Sequence, residues 1–149
     1  MNDTVFTLDD DPQKTTIKDR QKLYKDDWLL WIEDWLHINT TPWPDDKKPD
    51  DWKPSDGYPL WSQEVEIIKA VQKHKKVAVK SSHGIGKTFI AAVISLCIFY
   101  IERATGLTTS KTFRQVRRQL WAEVHKIYNR AEAINKSQGK SLGGQLNQT

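Results

Sequence analysis

Apolar residues recur at helical spacing over residues 16–37, and three tryptophans are among them. Six positions at steps of three, four and five residues form one broad face: Leu23, Trp28, Trp31, Ile32, Trp35 and Leu36. This period predicts an amphipathic helix over about 16–37 whose aromatic face docks onto a larger body. Residues 39–59 contain five prolines and clustered Asp and Lys, a composition that predicts a linker without regular structure.

Three more helices and one or two strands are predicted after the linker. The helices run from about Ser62 to His74, from Lys87 to about Ala104, and from about Lys111 to Ile134. The last helix carries a continuous apolar stripe: Phe113, Val116, Leu120, Val124, Ile127, Ala131 and Ile134. The alternating residues Val77 to Lys80 predict a buried strand, and Leu107 to Ser110 predict a short second one.

The strand at 77–80 runs into a turn of small residues, Ser81 to Thr88, and then into an apolar helix. A strand, a glycine loop ending in Gly-Lys-Thr and a helix form the usual context of a phosphate-binding loop, although Ser81 stands where its first glycine is expected. Backbone N–H groups of such a loop point at phosphate oxygens. Lys87 would reach the β- and γ-phosphates, and the Thr88 hydroxyl would coordinate Mg²⁺.

Composition limits the possible classes of protein. A chain of 149 residues holds one domain at most. Its one cysteine, Cys97, lies in an apolar helix, which predicts a small buried hydrophobe and suits a reducing cytoplasm. The longest apolar run, Phe89 to Ile101, is shorter than the roughly 20 residues that cross a bilayer, so we predict no membrane contact.

The net charge of +4 conceals two halves of opposite sign. Residues 1–62 hold 8 Lys/Arg against 14 Asp/Glu, a net charge of −6, and residues 63–149 hold 15 against 5, a net charge of +10. A basic second half is compatible with phosphate-rich partners, both nucleotide and DNA. A solvated basic helix face explains the same charge without any ligand.

Three blocks, in this order along the chain, resemble the terminase large subunit of phages and prophages. They are Pro59-Leu-Trp-Ser-Gln-Glu64, the strand and loop from Val77 to Thr88, and Thr108-Thr-Ser-Lys-Thr-Phe-Arg-Gln-Val-Arg-Arg-Gln-Leu-Trp121. The first resembles the family's adenine-recognising segment and places Gln63 against the base. The resemblance covers roughly residues 20 to 149. In that family the complete protein is an ATPase that drives DNA into viral capsids and also cuts it.

The resemblance implies an α/β fold: a P-loop NTPase core with an incomplete parallel sheet, preceded by a Trp-rich helical leader. Residues 1–60 would be the leader and 61–149 a partial ATPase domain. ATP and Mg²⁺ would be the cofactors. Double-stranded DNA, the small terminase subunit and the portal protein would be the partners, in the cytoplasm of a bacterial host. The nucleotide-binding residues would be Gln63, Ser81, Ser82, His83, Gly84, Ile85, Gly86, Lys87 and Thr88, with Thr88 also holding the metal.

The acidic residues that complete the family's catalytic site are missing. The last aspartate is Asp56, and after Thr88 the only carboxylate side chains are Glu102, Glu123 and Glu132. Without a metal-binding Asp and a water-orienting Glu, phosphoryl transfer lacks part of its electrostatic stabilisation. We therefore predict the truncated front portion of a motor ATPase, with little activity alone and no catalytic residues of its own.

Two alternative functions stay open from the sequence. A helicase-type nucleic-acid translocase shares a glutamine segment and a Gly-x-Gly-Lys-Thr loop, although Phe113-Arg-Gln-Val116 fits terminases better. A non-catalytic remnant would bind DNA, if at all, through the basic residues Arg114, Arg117 and Arg118, and that binding would fall steeply with salt.

Overall fold

In the part of the chain that the structure describes, the regular structure is helical. A computed structural model describes residues 17–80, 82, 86–109 and 112–144. The α-helices are α1 (Ile17–Asp26), α2 (Trp28–Trp31), α3 (Ser62–Lys73), α4 (Lys87–Tyr100), α5 (Phe113–Gln115) and α6 (Ala122–Ser137). Helix α2 continues as a π-helical segment, Ile32–Leu36, and α5 continues as a second one, Val116–Trp121. Within these residues, no helix has the length and apolar character needed to cross a membrane.

The predicted α/β class, with a P-loop NTPase core and a parallel sheet, is wrong. The described residues contain no strand. Val77 and Val79 are 39% and 47% exposed, and Leu107, in the second predicted strand, is 89% exposed. A strand needs a neighbour to bond its backbone N–H and C=O groups. Among the described residues, the segment at 77–80 pairs with no neighbouring strand and has no regular structure.

The predicted leader helix over 16–37 is interrupted at Asp27. This residue has extended backbone angles, and its carboxylate accepts a hydrogen bond from the Leu30 N–H at 3.1 Å, so it caps α2. The π-helical segment then ends at His37, whose φ is 53°. The wider π turn explains why Trp31 and Leu36, five residues apart, are both buried.

One hydrophobic core joins the N-terminal helices to the rest of the chain. Its members include residues from four helical regions: Trp28, Trp31, Ile32 and Leu36; Val65 and Ile68; Ile90, Val93, Leu96 and Cys97; and Val124, Ile127 and Ala131. The rings of Trp31 and Tyr100 stack with their centroids 5.7 Å apart. The tryptophans of the leader therefore dock onto α4 and α6. The predicted division of the chain at residue 60 stays a prediction.

A buried polar network fixes the end of the first π-helical segment to α6. Asn135 is fully buried; its Oδ1 lies 2.7 Å from His37 Nε2, and its Nδ2 donates to the Trp35 carbonyl at 3.1 Å. The Arg130 guanidinium donates to the His37 carbonyl. These bonds satisfy carbonyls that the helix end would otherwise leave without partners.

Candidate functional site

A groove of about 880 Å³ lies between α3 and α4, within the size range of small-ligand sites. One wall is α3, a second is the irregular segment at 77–80, and a third is the first half of α4. The apolar lining residues are Trp61, Ile67, Ala70, Val71, Val77, Ala78, Val79, Ile90, Ala91 and Ile94, and the polar ones outside Gly86 are Gln63, Glu64, Glu66, Lys80 and Lys87. The groove thus combines a large apolar wall with two ammonium groups and two carboxyl groups.

The structure brings three of the predicted nucleotide-binding residues to this groove. Gln63 lines it from α3, and Gly86 and Lys87 line it from the start of α4. Ser82 and Thr88 are exposed and are not among the described lining residues. The other four predicted residues, Ser81, His83, Gly84 and Ile85, lie outside the described residues. Their assignment to one site stays a prediction.

The start of α4 lies close to the carboxyl group of Glu64. Gly86, the residue before the helix, has φ 72°, which favours glycine. A Cβ atom added at Gly86 would lie 2.8 Å from Glu64 Oε1, so a larger residue there would displace that carboxyl group. Glu64 therefore occupies the space beside the N-terminal end of α4.

Glu64 is a partly buried acid that the sequence analysis did not single out. Burial raises its pKa; a hydrogen bond from the Trp61 N–H to Oε2, at 3.0 Å, lowers it, and the negative charge of Asp46 raises it. Its position three residues after the helix-capping Trp61 was the available signal, because an acid there bonds back to the cap. The combined effect raises the pKa of Glu64 above its ordinary value, with burial as the largest cause.

Asp46, not a residue of α3, caps the first turn of that helix. Trp61 holds the N-cap position of α3. The Ser62 N–H donates to Asp46 Oδ1 at 2.8 Å, and the Ser62 hydroxyl donates to Oδ2. These bonds hold the pKa of Asp46 below its ordinary value. A residue of the proline-rich segment thereby positions the helix that carries Gln63 and Glu64.

We expect the free energy of unfolding of a Glu64→Gln variant to respond less to pH than that of the wild type. The pKa of Glu64 is higher in the folded state than the ordinary 4.5, so the folded wild type binds the extra proton. The contribution of Glu64 to stability is therefore complete below pH 4.5 and is lost as the pH rises through the folded-state pKa. Glutamine keeps an acceptor for the Trp61 N–H and removes this titration. Urea unfolding between pH 4 and 8 measures the difference.

Glu66→Gln is the matched control for that experiment, since Glu66 is an exposed acid on the same helix. The Glu66→Gln variant should keep the decline that Glu64→Gln loses. Parallel pH profiles for the wild type and Glu64→Gln would contradict the assignment to Glu64.

Cys97, the one thiol of the chain, lies in the middle of α4 and is fully buried, as predicted from its apolar surroundings. Burial raises the pKa of this thiol well above its ordinary value. The thiolate, and not the thiol, is the reactive form of cysteine. Cys97 is also absent from the residues that line the groove. In this arrangement it serves as a core residue.

Comparison with known proteins relates most of the chain to one family. The family model described as protein-tyrosine phosphatase matches residues 9–129. No curated protein and no solved structure matches the chain.

The family match overturns the resemblance to terminase large subunits. The predicted function as the ATP-binding segment of a DNA-packaging motor is wrong, and neither the helicase-type translocase nor the DNA-binding remnant is supported. The prediction of ATP and Mg²⁺ as cofactors is also wrong, because a tyrosine phosphatase domain needs neither. In the part of the chain that the structure describes, no group of His, Cys, Asp and Glu could hold a metal ion. The predicted partners, double-stranded DNA among them, stay predictions.

Proposed function

Because the chain belongs to the protein-tyrosine phosphatase family, we propose that it binds a phosphorylated tyrosine side chain in the groove between α3 and α4. The observation that carries this proposal is the placement of Lys80 and Lys87 on the lining of a groove whose walls are otherwise largely apolar. A phosphotyrosine has the same two parts, an apolar ring and a phosphate of charge about −1.5 to −2 at neutral pH.

The two parts of the ligand have different partners in the groove. Ile67 and Val71 of α3 and Ile94 of α4 offer apolar surface for the ring. Lys80 and Lys87 offer charge-assisted hydrogen bonds to phosphate oxygens. The phosphate would also lie close to Glu64, whose pKa is raised by burial. When this carboxyl group is protonated, it can donate a hydrogen bond to a phosphate oxygen.

The groove would recognise the phosphorylated side chain. Cys97 would not act as the nucleophile that breaks its phosphate ester bond. Covalent cleavage of a phosphate ester by cysteine requires a thiolate within reach of the phosphorus atom. Cys97 is fully buried, its pKa is raised, and it does not line the groove. Any hydrolysis by this conformation would therefore need a different nucleophile.

A peptide-binding measurement tests the proposal. We expect a labelled phosphotyrosine peptide to bind more tightly than its unphosphorylated form and than a phosphoserine peptide, which lacks the ring. Changing both lysines, Lys80→Ala with Lys87→Ala, should weaken phosphotyrosine binding by roughly tenfold or more, since hydrogen bonds to charged groups contribute about 1.5–3 kcal/mol each. Fluorescence polarisation gives the affinities, and circular dichroism verifies that the variants are folded.

The control removes the same amount of charge from two positions on α3. Lys69 and Lys73 are exposed and are not among the described lining residues, so a Lys69→Ala, Lys73→Ala variant should retain most of the affinity. An equal loss of affinity in both double variants would contradict the proposal. Equal affinities for the phosphorylated and unphosphorylated tyrosine peptides would also contradict it. We also propose a cytoplasmic location, which suits a chain with one unpaired thiol.

A further inference from the structure

Three aromatic side chains of the proline-rich segment form a cluster of their own at the surface. We call Trp43, Trp52 and Tyr58 the aromatic triad. The ring centroids of Trp52 and Tyr58 are 4.5 Å apart, those of Trp43 and Tyr58 are 5.7 Å apart, and those of Trp43 and Trp52 are 6.1 Å apart. The three rings lie outside the hydrophobic core, and Tyr58 is 65% exposed. The core therefore does not account for their position.

Local hydrogen bonds and prolines hold the triad in place. The Trp52 indole N–H donates to the Gly57 carbonyl at 2.8 Å, and the Asp56 carboxylate accepts from the Lys53 N–H at 2.9 Å. Pro44 and Pro54 begin the two short 3₁₀ turns of the segment, and each fixes its own φ. A ligand meeting rings that are already ordered loses less entropy on binding than one that must order them.

The chemistry around the rings favours a cation. The Lys48 ammonium already lies over the Trp52 ring, 5.1 Å from its centroid, in a cation–π contact. Residues 43–58 contain five aspartates and three lysines, a net charge of −2. One face of the triad is thus occupied by an ammonium group of the chain itself, on a segment that attracts positive charge.

We propose that the aromatic triad is a binding site for a lysine side chain of a basic peptide, whose ammonium group replaces that of Lys48 on the Trp52 ring. The carboxylates of Asp50 and Asp51, both exposed beside Trp52, add long-range attraction for the peptide. This site is separate from the groove between α3 and α4, and its occupation does not depend on phosphate recognition there.

Removal of the Lys48 side chain, which competes for the Trp52 ring, should increase the affinity for the peptide and not decrease it. Lys48→Ala should bind a blocked Gly/Ser peptide with one central lysine more tightly than the wild type does. Lys47→Ala is the matched control. It removes the same charge from the neighbouring exposed residue and leaves the contact between Lys48 and the Trp52 ring in place. We expect Lys48→Ala to exceed Lys47→Ala in affinity by about two- to fivefold, the range of an exposed cation–π contact. Equal affinities would overturn the proposal.

The nature of the ligand is tested with three peptides that differ at the central residue. Lysine and trimethyllysine should both bind, because both carry a positive charge on the ring, and norleucine should not bind measurably. Chemical shifts of the Trp52 indole N–H, followed by NMR through a titration, report contact at the ring itself. Loss of binding on trimethylation would show a simple salt bridge, and binding of norleucine a hydrophobic contact. Either result contradicts the proposal.

A change at the ring completes the test. Trp52→Ala should weaken lysine-peptide binding by about two- to fivefold, and Trp52→Phe, which keeps an aromatic face, should recover part of the loss. Circular dichroism verifies the fold of both variants. A Trp52→Ala protein that is folded and binds as the wild type does would exclude the triad as the site.

Discussion

Replacement of Asn135 by leucine is expected to lower the free energy of unfolding by roughly 3 kcal/mol, because it leaves buried polar groups without partners. Asn135 is 0% exposed, and its amide bonds both the His37 ring and the Trp35 carbonyl. Leucine has the same branched heavy-atom skeleton as asparagine, so no cavity forms; the expected loss comes from the missing hydrogen bonds and from the larger volume of leucine in a filled site. Urea or thermal unfolding of the wild type and the variant measures it.

Asn129→Leu makes the same chemical change at an exposed position of α6 and should alter stability by no more than about 0.5 kcal/mol. If the two leucine variants unfold alike, the polar network does not hold the first π-helical segment to α6. The change His37→Leu should also lower stability, since it removes the partner of Asn135 Oδ1 but leaves the bond from Asn135 to the Trp35 carbonyl in place.

Cys97 is expected to react with a thiol reagent at least about 100-fold more slowly in the folded protein than in denaturant. Its sulfur is buried in α4 and its pKa is raised, so reaction needs both an opening of the core and loss of the thiol proton. The colour released by a disulfide reagent follows the reaction directly. A Cys97→Ala variant should also bind the phosphotyrosine peptide as the wild type does.

An exposed cysteine on the same scaffold serves as the reference for that rate. Ala133 is exposed on α6, so an Ala133→Cys change in the Cys97→Ala background should react at nearly the unfolded rate. Rapid reaction of Cys97 in the folded wild type would show that the thiol reaches solvent. It would also return Cys97 to the list of possible nucleophiles.

The helices were largely predictable because their signal is local. The predicted helix from about Ser62 to His74 agrees with Ser62–Lys73, and the predicted start at Lys87 is the observed start of α4. The interruption at Asp27 was not predicted, since the apolar period continues across it. The Asp27 side chain can cap a new helix, or the existing helix can continue through this residue. The spacing of apolar residues does not distinguish these two structures.

The prediction of a strand at 77–80 was wrong because the signal for a strand is not local. A strand forms only when it pairs with residues that can lie far away in the sequence. The alternation of Val77, Val79 and their neighbours would place apolar and polar side chains on opposite faces of a strand. Whether a strand forms depends on pairing with another strand. The candidate site was predictable in part. Gln63 and Lys87 line the same groove. Glu64 was missed because its raised pKa depends on its burial and on the nearby charge of Asp46, and the sequence shows neither.

The two π-helical segments bear on how the chain should be aligned with its relatives. An i→i+5 turn contains one more residue than the i→i+4 turn that would join the same two ends. A relative with an ordinary α-helix at either position would therefore be one residue shorter within Ile32–Leu36 or Val116–Trp121. Alignments that place gaps only in loops would shift the neighbouring core positions out of register, so a one-residue gap inside these helices is the physically correct choice.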